Sequence, residues 1–162
     1  MQKTLIILFI LSVFALGWVS SSMYAVAANM NALQPFGGQS VLSTPSDRVS
    51  EDEIHVYSDK VVLDLKDASW ASFTPTHSME PLISENAHGI EVKPASPSEL
   101  KAGDVISYNS DFTTGLVIHR IIETGFDEQG WYAIVKGDNN AEQDPGKVRF
   151  DKVNGVLVGI IY

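Results

Sequence analysis

The chain has no cysteine, and that single absence removes disulfides, thiolate catalysis and cysteine-built zinc or iron-sulfur sites. It is also poor in basic residues. Against 20 Asp and Glu stand 11 Lys and Arg, a formal net charge of -9, and these few cations are scattered, so no electrostatic footprint for DNA or RNA exists. Neither repeats nor low-complexity tracts interrupt the sequence. Once an N-terminal apolar run is set aside, the 162 residues suit one modest domain with a small core.

That run reads "MQKTLIILFILSVFALGWVSSSMYAVAAN". Leu5 to Val19 is almost wholly apolar, and a helix continued through Ser20 to Ala28 reaches the ~20 residues a bilayer requires. The same residues carry signal-peptide grammar: Lys3 ahead of an apolar centre, then Ala25-Val26-Ala27 as a small-x-small cleavage signature. Residues 1–28 are therefore expected to be a transmembrane anchor or a signal peptide. Lys3 is the only basic residue before Arg48, so the positive-inside bias puts the carboxyl part on the extracytoplasmic side under either reading.

Residues 29–53 turn to Gln, Pro, Gly, Ser, Thr and Asp, which is the composition of a linker. From 54 to 162 come short segments rich in Val, Ile and aromatics, divided by turn signals: "KVVLDL", "SWASF", "GIEVK", "DVISY", "LVIHRIIE", "WYAIV" and "VNGVLVGIIY". These predict a mainly β domain. "TGFDEQG" suits a hairpin loop between the fifth and sixth segments, and "SPSELKAGD" suits one helical turn capped at Ser96 or Ser98 before Gly103-Asp104 enters a strand.

The stretch "PTHSMEP" sets Ser78 between a histidine and a methionine. A serine hydroxyl is a poor nucleophile at neutral pH until a base takes its proton, and His119 inside "LVIHRIIE" is the first candidate base. Taken singly, a serine near proline is a turn residue and a strand histidine a satisfied core or surface residue. The acidic run "DNNAEQD" invites another reading: Asp138, Asn140, Glu142 and Asp144 alternate like the first half of an EF-hand loop. Gln143 stands where that loop needs Gly, and Arg149 where it needs a bidentate Glu. A merely solvated acidic turn is the third possibility. His55 and His88 show no metal-ligand spacing and are expected at the surface, with Met79 as a packing residue beside Ser78.

Order carries more than any one piece. "SMEP", "KAGDVISY", "VIHRI", "VKGDNNAEQD" and "NGVLVGIIY" follow one another from about Ser69 to Tyr162. Together they resemble the S26 family of membrane-bound type I signal peptidases, in the archaeal and endoplasmic-reticulum branch that carries His where bacterial members carry Lys. The resemblance implies a small signal-peptidase-like antiparallel β domain behind one N-terminal membrane helix, with Ser78 as nucleophile and His119 as general base. It implies an acidic partner at Asp144, with Asp138 as a second candidate, and an oxyanion hole from the Ser78 N–H and the Thr76 hydroxyl. Lys136 and His77 are weaker rivals for the base. The implied substrates are exported preproteins cut near a lipid bilayer, with no nucleic acid, metal or organic cofactor involved.

Two features set the chain apart from that family. His77 replaces the small residue, often Gly, that usually precedes the nucleophile, and some fifty residues separate the apolar run from Ser78. The first leaves room for an inactive relative that binds exported segments through the same groove. An exported β interaction domain, in which the motif order is coincidence, is the remaining alternative.

Overall fold

The computed structural model describes residues 43–162. The expected anchor or signal peptide over 1–28 and the first part of the linker lie outside the described residues. Among the described residues no helix is long and apolar enough to cross a membrane.

The fold is mainly β and antiparallel throughout. A small hairpin, β1 (Ile54–Val56) with β2 (Val61–Leu63), precedes the main sheet. That sheet contains β3 (Ala68–Ser72), β4 (His88–Val92), β5 (Val105–Asn109), β6 (Leu116–Asp127), β7 (Gly130–Lys136), β8 (Val148–Arg149) and β9 (Val153–Ile161). Its order is β3-β4-β9-β5-β6-β7-β8, so the terminal strand is inserted between β4 and β5. All seven expected strands are present. The expected helical turn is a 3-10 turn at Pro97–Glu99 with Ser96 as N-cap. The two strands not expected, β1 and β8, are 3 and 2 residues long; β2 is equally short but falls within the segment "KVVLDL", and β1 and β8 carry no such apolar run. The expected seven-residue loop is far tighter: Asp127 pairs with Gly130, and Gly130 takes φ 100°, a left-handed conformation that glycine adopts without strain.

Burial follows from the central place of β5, whose Val105, Ile106, Ser107 and Tyr108 are all buried because both faces of the sheet are covered. One face packs Ile106, Tyr108, Ile121, Trp131, Val135 and Val156 into the larger cluster. The other packs Met79, Ile83, Ala87 and Val105, with Phe73, Ile118 and Leu157 against them. The turn after β3 thus folds over the sheet and is held by apolar contact, which places Ser78 beside a packed surface.

Residues 43–53 do not behave as free linker. The buried Asp104 carboxylate accepts from the Ser46 N–H at 2.6 Å, the Lys101 N–H at 3.0 Å and Arg48 at 2.9 Å. An apolar count misses this anchorage because the attachment is polar. Burial drives the Asp104 carboxyl upward, but the bonds from Ser46, Lys101 and Arg48 outweigh it and hold the group below its ordinary value. A depressed carboxyl value contributes stability that is whole above the unfolded value, about pH 4, and is lost as pH falls through the folded value. Asp104→Asn is expected to cost about 1–3 kcal/mol at pH 7, and the gap to the parent to narrow toward pH 3. Urea midpoints taken across that range read it, and a gap that stays constant would contradict the assignment.

Candidate active site

Four segments converge at one end of the sheet. Ser78 opens the turn that follows β3, in which the Ile83 N–H donates to the Met79 carbonyl at 2.9 Å and Met79 is buried. The turn after β7 braces it from the side. The Asn139 N–H donates to the Ser78 carbonyl at 2.9 Å, and Asn139 Nδ2 donates to the His77 carbonyl at 3.0 Å. Gly137 is required at this junction, because a Cβ there would stand 2.6 Å from the Ser78 carbonyl oxygen.

His119 projects from β6, buried, opposite Ile106 of β5. Its Nδ1 lies 2.6 Å from Asp144 Oδ2. Asp144 is held in place by its own N–H, which donates to the Val135 carbonyl at 2.9 Å, and its Oδ2 also accepts from the Tyr108 hydroxyl. Burial raises the Asp144 carboxyl, and the hydrogen bonds from His119 and Tyr108 overcome that and hold it below its ordinary value. Asp144 is therefore ionised at neutral pH and fixes the His119 tautomer with its proton on Nδ1, which leaves Nε2 as the acceptor. The Tyr108 hydroxyl is pushed far above its ordinary value by burial and by Asp144, and stays a donor.

The two acidic candidates separate cleanly. Asp138 gives both oxygens to Arg120, at 2.8 Å from Nε and 2.6 Å from Nη2, while Arg120 Nη1 donates to the Gly103 carbonyl at 2.7 Å. With Asp138 on Arg120 and Asp144 on His119, the acidic run does not converge. Among the described residues no group of three or more His, Asp or Glu is arranged to hold a metal ion. Lys136 pairs across from Arg120 in the sheet register, on the strand that leads to this turn.

Ser78 and His119 line one cavity of about 350 Å³ with Thr76, Met79 and Ile118. The Ser78 hydroxyl lies 3.2 Å from that of Thr76, and among the described residues no hydrogen bond joins it to His119. Thr76, the expected oxyanion donor, is therefore next to the nucleophile candidate. His77 occupies the left-handed region at φ 59°, which explains why a glycine suits this position. Its ring turns outward to Glu80, 2.8 Å away, and is mostly exposed, so His77 sits at the cavity rim rather than between Ser78 and His119 as a base. His77→Gly is expected to be more stable than His77→Ala by about 1 kcal/mol, since only alanine meets the left-handed penalty. Paired thermal unfolding curves check this, and equal midpoints would count against the backbone argument.

Of the remaining sequence candidates, His55 lies 3.4 Å from Asp64 in the small hairpin. His88 stacks on Trp70 with ring centroids 4.7 Å apart and is half-buried rather than at the surface. Tyr108, Asn139, Glu91 and Ser107 also belong to the site, and no motif in the sequence marks their roles. No protein-family model, curated protein or solved structure matches the chain.

Proposed function

We propose that this chain is a membrane-bound serine endopeptidase that cuts signal peptides from exported preproteins, its β domain on the extracytoplasmic side. The observation that carries the reading is the Asp144-His119 pair, made through Nδ1, in the wall of a cavity that also holds Ser78. In the reaction, His119 Nε2 takes the Ser78 proton as Oγ attacks the scissile carbonyl, and the tetrahedral oxyanion forms beside the Ser78 N–H and the Thr76 hydroxyl. The imidazolium then gives its proton to the leaving amine, which departs and leaves an acyl-serine. Water, deprotonated by the same base, releases the acid and restores Ser78, so one water is consumed per bond cut. The substrate lies extended between the end of β3 and the start of β6, both of which line the cavity.

A groove-binding relative without activity is the second reading, favoured by the Ser78 hydroxyl bonding to Thr76. Catalytic hydrogen bonds often tighten only with substrate bound, so the choice falls to experiment. Detergent-solubilised full-length protein is incubated with a preprotein and, separately, with a serine-directed phosphonate probe. Cleavage after a small residue and probe attachment at Ser78 are the expected results. Folded protein that neither cuts nor labels would overturn the enzyme in favour of the binder.

A further inference from the structure

The buried and half-buried acids around the site follow a rule with one exception among the described residues. Asp104 meets Arg48, Asp138 meets Arg120 and Asp144 meets His119. Glu91 on β4 is only 4% exposed, yet no cation pairs with it among the described residues. One oxygen, Oε2, accepts from the Ser107 hydroxyl at 2.7 Å, and the other, Oε1, has no hydrogen-bond partner among the described residues. A buried carboxylate oxygen left unbonded is costly, and Glu91 lines the same cavity as Ser78 and His119.

The arrangement is built into the sheet. Glu91 reaches across β9 to Ser107 on β5, over Gly155, where a Cβ would stand 2.7 Å from Oε2. Among the described residues the cavity wall holds a second carboxylate, Glu85, and two histidines, His77 and His119, but neither Lys nor Arg. A low-dielectric cleft lined by one sign of charge concentrates ligands of the other.

We propose that Glu91 is a specificity-determining residue, and that the cavity takes an extended peptide whose basic side chain, Lys or Arg, supplies the cation that Glu91 lacks. This rests on the peptidase reading for its substrate class. It adds that the substrate carries a positive charge close to the scissile bond, at the position whose side chain reaches Glu91 and Ser107 in the cavity wall. Burial raises the Glu91 carboxyl, the Ser107 bond opposing it, and a bound cation favours the ionised form.

The test uses full-length protein carrying Ser78→Ala, so that binding is read without cleavage, and labelled peptides that differ only in Lys, norleucine or Glu at each position flanking the cut. At one position Lys is expected to bind about tenfold tighter than norleucine, and Glu weaker than either. With Glu91→Gln added, a near-isosteric change, the Lys-to-norleucine ratio is expected to fall to about one. Equal binding of all three peptides, no binding of any, or a Lys preference that survives Glu91→Gln, overturns the assignment. The same peptides are then offered to the parent chain with Ser78 intact. Lys-selective binding without cleavage would refute the peptidase and leave Glu91 as the reader of a basic segment. Cleavage without Lys preference would do the reverse.

Discussion

Ser78→Ala is expected to lower kcat/KM on a signal-peptide substrate by about 10⁴-fold or more, and His119→Ala by a similar factor, with the double variant no worse than the poorer single one. Non-additivity is the informative part. If Ser78 attacks only while His119 removes its proton, loss of either removes the same step, and the second substitution has nothing left to damage. Asp144→Asn tests the third member. Asp144 accepts from His119 Nδ1, so an amide there can present its N–H to the ring and favour the wrong tautomer, at a cost of about 10³-fold or more in kcat with little change in KM. Tyr108 contacts the same atom, so an amide nitrogen turned to the ring also meets its hydroxyl, which can rotate to accept from that N–H, and folding is largely preserved. Single variants that multiply rather than saturate would separate Ser78 from His119 and sink the shared step. The same would follow from full activity in Asp144→Asn.

Much of the strand content was legible because most strands here are long enough to carry apolar runs of Val, Ile and aromatics. "LVIHRIIE" and "WYAIV" became β6 and β7, and the hairpin between them was legible, though not its two-residue length. The three-residue β1 and two-residue β8 stand in no apolar run such as the "KVVLDL" that marks the equally short β2. The site divides in the same way. Ser78, His119 and Asp144 could be named from the order of their segments, whereas the choice between Asp144 and Asp138 depended on the turn after β7, where the Asp144 N–H returns to the Val135 carbonyl.

Glu91 was illegible for a specific reason. In "HGIEV" a period-two reading puts Ile90 and Val92 inward, yet Gly89 and Glu91 are the fully buried pair. Burial on β4 does alternate, but the Gly89-Glu91 face is the buried one and the Ile90 face is half-exposed, so apolar character picks the wrong face. Its partner Ser107 lies two strands away, across β9, the last strand in the sequence. Contacts of that kind depend on sheet order and register, and neither is written in a local window.

Asp138→Ala is expected to destabilise the domain by about 3–5 kcal/mol, because it strands the Arg120 guanidinium inside the protein. Arg120 is 6% exposed, and among the described residues two of its three side-chain hydrogen bonds go to Asp138. The pair ties β6, one residue beyond His119, to the turn whose Asn139 holds the Ser78 carbonyl. Replacing both partners with Arg120→Met and Asp138→Leu removes the uncompensated charge, and is expected to recover most of the lost stability. It does not restore the brace on the Ser78 turn. The double variant is therefore expected to unfold near the parent urea midpoint while its kcat stays at least tenfold low, since misplacing reacting groups by about 1 Å costs ~10²-fold. That split distinguishes a positioning role from a purely structural one. If the double variant regained both stability and kcat, the Arg120-Asp138 pair would hold the sheet together without setting the geometry of Ser78.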